Sequence, residues 1–339
     1  MIARILKSVR NNEALSKEEV AFAFSSILDG IWTPAQIGAF LMGLSQRGET
    51  SAEISGAAQV LRERASFISA PDGAIDCCGT GGDQSNSLNI STAVAFVVAS
   101  CGVPVAKHGN RAASSKSGAA DVLEEIGINL DLSPSQCEQA LRETGFCFLM
   151  APHHHRDLKP LAALRKDLGF RTIFNLLGPL VNPARTQFQL IGVFDKSFVR
   201  PMAEALAQLG TQKSWVVHGS DGMDEITLSG TTYCAQIENG QISEIELSPK
   251  DFGLAQSDAQ DIRGGDAAYN AAALLDLLNG EQSAYREIVL ANAAASLVIA
   301  GKAETLPDGV SIASHALDHG ETLKLMTTYR RFTKNQEAA

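Results

Sequence analysis

Short apolar segments alternate with helical segments from Pro71 onward, and this alternation restricts the fold more than any other feature of the sequence. Parallel strands need a crossover segment between them, and this segment is usually a helix. The pattern therefore predicts an α/β fold with a mostly parallel central sheet covered by helices. Strands are predicted at residues 74–78, 103–106, 146–150, 188–194 and 214–218, and helices between them at about 91–100, 135–143 and 197–209.

Two further patterns lie in the C-terminal half. Residues 233–247 hold Asn239-Gly240 between two alternating runs, which predicts an antiparallel hairpin with a type I′ turn. Residues 265–332 are predicted to be helical, with stops at Gly280, Gly301 and Gly320.

The first 66 residues carry three helix-start signals of the capping-box type. Pro34 fits a first helical position, and Gly30 and Gly48 fit helix ends. We predict three short helices, of which the middle one, residues 35–46, is apolar on almost every side. A small helical layer needs less apolar surface than this for its own core, so the helix is predicted to form a subunit interface. The capping pairs are Ser16 with Glu19, Thr33 with Gln36 and Thr50 with Glu53.

Composition excludes several classes of protein. The 339 residues include 28 Lys and Arg against 38 Asp and Glu, and this net charge of −10 disfavours a protein held mainly by nucleic acid phosphates. No apolar run reaches the roughly 18 to 20 residues of a membrane span. Residues 1–13 lack the apolar region of a secretory signal, so we expect a soluble, cytoplasmic protein of about two domains. The six cysteines are expected to be reduced and buried.

A glycine-rich loop follows the first predicted strand. Three glycines lie within residues 79–82, and residues 89–92 begin the next helix. Free backbone N–H groups on such a loop and at a helix N-terminus suit phosphate. No Gly-Lys-Ser/Thr ending and no Gly-x-Gly-x-x-Gly spacing occur, so neither a Walker loop nor a dinucleotide fold is indicated. Taken alone, the loop fits a tight structural turn as well as a ligand loop.

A second polar loop, residues 107–118, follows the next predicted strand. It places cations, hydroxyls and glycines at a strand C-terminus, where parallel α/β sheets bind ligands. The two loops would face one crevice, and the alternative is a solvated basic loop. Asp121 and the pair Glu124-Glu125 are expected on the exposed face of the next helix.

Asp224 and Glu225 form an acidic pair beyond the strand predicted at 214–218, in a turn that we expect to face solvent. Mg²⁺ commonly takes one or two carboxylates and fills its other positions with phosphate and water. Together with two phosphate loops, the pair predicts a magnesium-bound polyphosphate. Without those loops, a solvated turn is the simpler interpretation.

Other polar residues give weaker signals. His153, His154 and His155 are consecutive and point in different directions, so a zinc site is not indicated. Arg165 fits either a surface cation or a clamp for a substrate carboxylate. No Gly-x-Ser-x-Gly motif is present and no cysteine has an obvious base, so covalent nucleophilic catalysis is not indicated.

Together these motifs resemble the anthranilate phosphoribosyltransferases of tryptophan biosynthesis. The resemblance runs through nearly the whole chain, including the helix start at residues 33–36. Related pyrimidine nucleoside phosphorylases share the fold, but their loop after the second strand reads Lys-His-Ser, where this chain has Lys-His-Gly-Asn. The matching motifs are Gly79-Thr80-Gly81-Gly82-Asp83, Asn89-Ile90-Ser91-Thr92, Lys107-His108-Gly109-Asn110-Arg111, Arg171-Thr172-Ile173-Phe174-Asn175-Leu176-Leu177-Gly178-Pro179-Leu180 and Asp224-Glu225.

The resemblance implies a homodimer formed through a small all-helical N-terminal domain, residues 1–72, with a returning segment at about 165–185. Residues 73–164 and 186–339 would form a larger α/β domain that binds phosphoribosyl pyrophosphate, with the active site between the domains. The implied reaction transfers the phosphoribosyl group to the amine of anthranilate and gives N-(5-phosphoribosyl)anthranilate and pyrophosphate, the second step of tryptophan biosynthesis from chorismate.

The same resemblance implies a set of site residues. Anthranilate would contact Gly79, His108, Asn110, His155 and Arg165. Mg²⁺, with two ions expected, would be bound by Ser91, Asp224 and Glu225. Phosphoribosyl pyrophosphate would be held by Gly79, Gly82, Asp83, Ser87, Asn89, Ile90, Ser91, Thr92, Lys107, His108, Gly109, Asn110, Arg111, Ala112, Ala113, Ser114, Ser115 and Ala119.

Four positions depart from the family pattern. Ser87 stands where Thr is usual and keeps the hydroxyl, whereas Ala119 stands where Ser is usual and loses a donor toward phosphate. Arg156 replaces a Pro after His155, and Leu158 replaces Met, so the shape of the aromatic channel is expected to differ.

The implied mechanism needs no catalytic side chain. Loss of pyrophosphate leaves an oxocarbenium-like ribose C1, and Mg²⁺, Lys107 and backbone amides would stabilise the departing charge. The aryl amine is neutral at pH 7 and can attack without prior deprotonation, so positioning would supply much of the rate, with inversion at the anomeric carbon.

A phosphorylase using free phosphate is the alternative enzyme, and Asp224-Glu225 argues against it. The net charge and the intact residues 79–83 argue against a nucleic-acid-binding relative without the enzymatic site.

Overall fold

A seven-stranded sheet forms the centre of the protein, which we describe from a computed structural model for residues 1–112 and 116–336. The strand order is β3-β2-β1-β4-β5-β6-β7, in which β1 to β5 are parallel and β6 and β7 are antiparallel. The predicted α/β class with a mostly parallel sheet is confirmed. The strands are β1 Ile75–Gly79, β2 Val105–Gly109, β3 Phe146–Met150, β4 Phe188–Gly192, β5 Lys213–Gly219, β6 Thr232–Glu238 and β7 Gln241–Leu247.

Helices precede, connect and follow the strands. The N-terminal helices are α1 Ile2–Arg10, α2 Lys17–Leu28, α3 Pro34–Arg47 and α4 Ser51–Arg64. Those between strands are α5 Ile90–Ser100, α6 Ala119–Glu125, α7 Pro134–Thr144, α8 Ala151–His154, α9 Ala162–Leu168, α10 Phe174–Leu177 and α11 Val199–Gln208. The C-terminal helices are α12 Ala267–Leu278, α13 Ala284–Ile299, α14 Leu306–Asp318 and α15 Glu321–Asn335. Short 3₁₀ helices occur at Arg156–Leu161, Gly178–Val181, Lys196–Phe198, Pro249–Phe252 and Ala259–Ile262.

The N-terminal region holds four helices, so the prediction of three was wrong. The three predicted capping boxes are all present, at the starts of α2, α3 and α4. The missed helix, α1, begins at the start of the chain, and its N-cap Met1 makes no side-chain capping bond. It therefore carries none of the start signals that identified the other three.

The second strand lies further along the chain than predicted. We placed it at residues 103–106 with Lys107 and His108 in the following loop, but β2 runs to Gly109 and both side chains are buried. Lys107 is tolerated inside the sheet because its ammonium donates to Cys77 O at 2.6 Å and to Ser91 Oγ at 3.2 Å. A charged side chain with such partners can occupy a buried strand, where unpaired burial would be costly.

The hairpin and the helical C-terminal region are confirmed. Asn239 and Gly240 have φ values of 50° and 79°, as a type I′ turn requires, and Glu238 pairs with Gln241 beside the turn. The last four helices cover the predicted region, and α12, α13 and α14 each end within two residues before the predicted glycines.

Successive strands are added on one side of β1 up to β3 and on its other side from β4 onward. The chain moves outward from β1 to β2 and β3, and then crosses back to add β4 and β5 on the other side of β1. In open α/β sheets, ligands bind at such a reversal, beyond the carboxyl ends of the strands. The glycine-rich loop leaves β1 at this position, so the topology places it at the expected ligand crevice.

Two hydrophobic clusters pack against opposite faces of the sheet. Successive side chains of β5 point to opposite faces and so enter different clusters. Trp215 and Val217 belong to the cluster with α5 and α13, whereas Val216 belongs to the other. The second cluster joins this sheet face to α11, the N-terminal helices and the segment that holds Ile173 and Leu180. The N-terminal helices α1 to α4, which we call the helical layer, therefore share their core with the sheet.

The cysteine prediction holds for most positions. All six cysteines are free, and five are buried, whereas Cys101 is only half-buried. Across residues 1–112 and 116–336, no helix has the length and hydropathy that a bilayer span needs.

Two glycines of the helical layer allow a matched test of packing. A Cβ at Gly56 in α4 would overlap the backbone carbonyl of Lys17 in α2, whereas one at Gly38 in α3 would meet only Leu168 Cδ2 at 3.7 Å. Alanine favours a helix by about 1 kcal/mol over glycine, but overpacking costs about 1–3 kcal/mol. We expect Gly56→Ala to lower the free energy of unfolding in urea and Gly38→Ala to leave it unchanged or raise it. Equal stability of the two variants would contradict this packing.

Candidate active site

A cavity of about 910 Å³ lies beyond the carboxyl ends of β1 and β2. Many of the predicted site residues line it: Gly79, Gly82, Ser91, Lys107, His108, Gly109, Asn110, Arg111, Ala112, Ala119, His155 and Arg165. The departures Arg156 and Leu158 line it as well. The predicted residues Asp83, Ser87, Asn89, Ile90, Thr92, Asp224 and Glu225 are not part of its lining. Ala113, Ser114 and Ser115 lie outside the described residues.

The glycine-rich loop is anchored so that some of its donors stay free. Thr80 N donates to Gly192 O at 2.9 Å, and Gly81 N donates to Asp224 Oδ2 at 2.6 Å. Gly81 and Gly82 have φ values of 69° and 74°, a conformation that glycine adopts without strain. Within the described chain, the N–H groups of Gly82 and Asp83 donate to no protein acceptor. Two adjacent free amides on a loop are suited to an anion.

Two strand ends are glycine because Asp224 packs against them. A Cβ at Gly79, the last residue of β1, would overlap the Asp224 carboxylate. A Cβ at Gly192, the last residue of β4, would overlap the backbone carbonyl of Asp224. The acidic turn can therefore reach the glycine-rich loop only because both strands end without a side chain.

The acidic turn does not face solvent as we expected from the sequence. Asp224 is buried, with 9% of its surface exposed, and Glu225 is half-buried. Burial, with the Asp83 carboxylate close by, raises the pKa of Asp224 to about 7, and burial beside Asp224 raises the pKa of Glu225. The turn folds inward because Asp224 accepts the Gly81 N–H and Glu225 accepts the Ser91 N–H at 3.2 Å.

The side chains of Asp224, Glu225 and Ser91, which we call the acidic cluster, offer oxygens that fit Mg²⁺. Carboxylate and hydroxyl oxygens are ligands that Mg²⁺ prefers, and mutual repulsion between close carboxylates is relieved by a cation. No group of three His, Cys, Asp or Glu side chains that could hold a metal occurs among the described residues. An ion here would therefore need further oxygens from a phosphate or from water.

The N-terminus of α5 is held by residues that sequence reasoning missed. Asn270 Nδ2 donates to Asn89 Oδ1 at 2.8 Å, and Tyr285 Oη donates to Asn89 O at 3.0 Å. Both residues come from C-terminal helices about 180 residues or more away along the chain. No local pattern in the sequence connects them to the site.

Arg111 is held by the following helix. Its guanidinium pairs with Glu124 and Asp121. Asp121 also accepts the N–H groups of Ala112 at 3.0 Å and Gly118 at 2.8 Å. Burial alone would raise the pKa of Asp121, but these two bonds and the nearby Arg111 guanidinium lower it overall. Glu124 and Glu125 are exposed, as expected, whereas Asp121 is half-buried because it bonds to two backbone N–H groups of the second polar loop.

A buried carboxylate joins β1, β2 and the segment before β4. Asp76 accepts from His108 N at 3.2 Å and from Asn182 Nδ2 at 2.7 Å. Asn182 Nδ2 also donates to Ala106 O at 2.8 Å. Burial raises the pKa of Asp76, and the nearby Lys107 acts in the opposite direction. Asn182 lies two residues after the 171–180 motif, but nothing local in the sequence indicated this contact.

Two neutral histidines form part of the cavity wall. His108 Nδ1 donates to Gly178 O at 3.0 Å, and His155 Nε2 donates to Val181 O at 2.9 Å. Burial lowers the pKa of His108 to about 3 and that of His155 to about 4. Their rings lie 5.3 Å apart in an edge-to-face arrangement. Both side chains are therefore uncharged at neutral pH.

The three consecutive histidines have separate partners. His153 lies 3.3 Å from the Asp131 carboxylate, whereas His154 Nδ1 donates to Ser66 O at 2.9 Å. With His155 bonded to Val181 O, the three rings serve three different contacts.

Arg165 lies on α9 and lines the cavity. Its guanidinium is over the Phe174 ring, 5.0 Å from the centroid, and burial lowers its pKa. It makes no ion pair with any carboxylate in the described residues. A partly buried, unpaired guanidinium on a cavity wall suits an anionic group of a ligand.

Comparison with known proteins gives the family. Residues 3–65 match the helical bundle domain of the glycosyl transferase family, and residues 71–323 match its a/b domain. An anthranilate phosphoribosyltransferase of Azorhizobium caulinodans is 49% identical over 97% of this chain and 96% of its own length. Another, from Bradyrhizobium sp. strain BTAi1, is 51% identical over 93% of this chain and 94% of its own length. The chain belongs to the anthranilate phosphoribosyltransferase family.

Solved structures agree with this membership. The anthranilate phosphoribosyltransferase of Thermus thermophilus is 38% identical and superposes with a TM-score of 0.91, covering 97% of this chain and 99% of its own. That of Saccharomyces cerevisiae, solved with PRPP and Mg, is 24% identical with a TM-score of 0.87 and 98% of both chains covered, and it supports the fold alone. As a member of this family, the chain is a pentosyl-transferring glycosyltransferase.

Proposed function

We propose that this chain transfers the phosphoribosyl group of phosphoribosyl pyrophosphate to the amine of anthranilate. One observation carries the proposal: a single cavity has free loop amides beside an acidic cluster in one part and an unpaired arginine with two neutral histidines in another. A polyphosphate with its cation fits the first part, and an aromatic carboxylate fits the second. A phosphorylase that uses free phosphate has less need for the acidic cluster.

The pyrophosphate group is assigned to the glycine-rich loop and the end of β2. Gly82 and Asp83 offer free backbone N–H groups, and Lys107 offers a buried ammonium that already donates to Ser91 Oγ. We assign the remaining predicted positions to the same substrate: Gly79, Ser87, Asn89, Ile90, Ser91, Thr92, His108, Gly109, Asn110, Arg111, Ala112, Ala113, Ser114, Ser115 and Ala119. Ala119 lies on the cavity wall and offers no side-chain donor there.

Anthranilate is assigned to the part of the cavity lined by Arg165, His108, His155, Asn110 and Gly79. Arg165 would pair with the carboxylate, and Phe174 beneath the guanidinium holds it in place. Because both histidines are neutral, they contribute shape and apolar contact and add no second cation.

We assign Mg²⁺ to Ser91, Asp224 and Glu225, whose oxygen donors suit this ion. The Saccharomyces cerevisiae enzyme of the same fold was solved with PRPP and Mg. Bound Mg²⁺ would supply positive charge that stabilises the departing pyrophosphate. Asp224 remains tied to Gly81 N, so the loop and the acidic turn would move together. The number of two ions stays a prediction.

The protein's own contribution to the reaction is charge and position. Lys107 places a cation at the end of the sheet, where negative charge develops on the leaving group. The loop amides and Arg165 would hold the ribose and the aryl amine in one geometry, which lowers the barrier without a side-chain base.

Dimerisation through the helical layer stays a proposal. Met42 on α3 and Phe22 on α2 are 49% and 41% exposed, and Ile31 between these helices is 62% exposed. Exposed large apolar side chains on these helices agree with the predicted interface. The division into domains 1–72 with 165–185, and 73–164 with 186–339, is likewise our proposal, as is the cytoplasmic location.

The experiment that tests the proposed function follows the fluorescence of anthranilate. We expect fluorescence to fall when the purified protein is mixed with anthranilate, phosphoribosyl pyrophosphate and Mg²⁺, and to stay constant when EDTA is present. Release of pyrophosphate should match the loss of anthranilate. No loss of fluorescence, with phosphorolysis of thymidine or uridine instead, would assign the protein to the phosphorylases.

The metal assignment predicts a large loss on neutralising the acidic pair. Asp224→Asn with Glu225→Gln keeps oxygen acceptors for Gly81 N and Ser91 N, so the fold should persist. We expect kcat to fall by about 100-fold or more, because charge stabilisation of the leaving group is lost. Asp221→Asn, in the same turn, is the control and should keep full activity. Wild-type turnover by the double variant would reject the metal assignment.

The anthranilate assignment predicts a selective effect at Arg165. Arg165→Met should raise the KM for anthranilate by about 10- to 100-fold, because a charge-assisted contact worth about 1.5–3 kcal/mol is removed. The KM for phosphoribosyl pyrophosphate should change little. Lys166→Met, at the exposed neighbouring position, is the control. The opposite pattern of KM values would reassign Arg165 to phosphate.

A further inference from the structure

Arg171 connects the helical layer to the glycine-rich loop. Its backbone carbonyl accepts a hydrogen bond from Ser45 Oγ of α3 at 2.8 Å. Its side chain extends in the other direction, and Nη2 donates to the carbonyl of Gly82. The residue is half-buried and is not part of the cavity lining, so it touches the loop from outside the cavity.

An aromatic ring fixes the direction of the guanidinium. The Arg171 guanidinium carbon lies 4.3 Å from the centroid of Phe194, just beyond β4. Phe194 N donates in turn to Thr80 Oγ1 at 3.0 Å. The glycine-rich loop is therefore held at two points, at Thr80 by Phe194 and at Gly82 by Arg171. Arg171 and Phe194 also contact each other. A planar guanidinium can stack and donate at once, which an ammonium cannot do as well.

The bond to Gly82 O sets the direction of a neighbouring donor. The carbonyl of Gly82 and the N–H of Asp83 belong to one planar peptide unit, and in a trans peptide they point in opposite directions. No cis peptide bond occurs in the described residues. When Arg171 holds the carbonyl, the Asp83 N–H is turned away from Arg171. Glycine can take up either direction at little cost, so Gly82 itself does not enforce this orientation.

We propose that Arg171 is a positioning residue that holds the Gly82–Asp83 peptide unit with its N–H available to the pyrophosphate group of phosphoribosyl pyrophosphate. The proposal rests on the proposed function of the cavity. It assigns a role to a residue that does not contact the substrate itself, and it accounts for the free Asp83 N–H in the described chain.

Kinetics and binding of three variants test the proposal. Arg171→Met removes the guanidinium and keeps the apolar stem, and Arg171→Lys keeps the charge and one donor without the planar stack. Arg185→Met is the matched control, because Arg185 also lies over an aromatic ring, that of Phe67, and also donates to a backbone carbonyl, that of Arg62, at 3.0 Å. Neither Arg171 nor Arg185 lines the cavity.

We expect Arg171→Met to raise the KM for phosphoribosyl pyrophosphate about tenfold, as loss of one charge-assisted bond would. The KM for anthranilate should stay within about twofold of wild type, because the anthranilate part of the cavity is unchanged. Calorimetric titration with inorganic pyrophosphate and Mg²⁺ should show the same loss of affinity. Arg171→Lys should recover part of the affinity, and Arg185→Met should match wild type in all three measurements.

Two outcomes would overturn the proposal. One is unchanged affinity for pyrophosphate in Arg171→Met. The other is an equal rise in both KM values together with a lower Tm, which would indicate a general structural role. Failure of the proposed function is distinguishable, because it would appear in the wild-type protein as absent transfer, whereas the pyrophosphate titration compares the variants without requiring turnover.

Discussion

The close approach of Asp224 to the ends of β1 and β4 is the contact on which the site depends. It is possible because Gly79 and Gly192 have no side chains. The carboxylate then accepts from Gly81 N, which fixes the glycine-rich loop, and the next residue, Glu225, accepts from the first turn of α5. One turn of the chain therefore sets the relative positions of the glycine-rich loop and the start of α5, and a larger residue at either strand end would separate them.

Basic side chains line the cavity, whereas the acidic side chains of the site lie outside its lining. The protein carries a net charge of −10, yet the cavity lining includes Lys107, Arg111 and Arg165 and no aspartate or glutamate among the described residues. The carboxylates Asp224 and Glu225 lie behind the glycine-rich loop instead. Two anionic substrates would therefore meet donors and cations on the wall, and the acidic groups would act on a metal ion at one edge.

The sequence predicted those parts of the site that depend on neighbouring residues. Capping pairs, the glycine-rich loop and the hairpin turn all carry their signal within a few positions, and all are present. The end of β2 was misplaced because Lys107 looks like a loop residue until its distant partners are known. Asn270 and Arg171 were missed as contacts for the same reason: each acts across about 90 to 180 residues, and such pairing leaves no local pattern.

The shared hydrophobic cluster has a consequence for cooperativity. Because Val216 and the N-terminal helices belong to one packed core, neither the helical layer nor this face of the sheet can lose its order alone without exposing apolar surface on both. Arg171 adds a polar connection between the same two parts. Local melting of the layer would thus be transmitted to the glycine-rich loop, and the N-terminal helices would set the highest temperature at which this loop keeps its conformation.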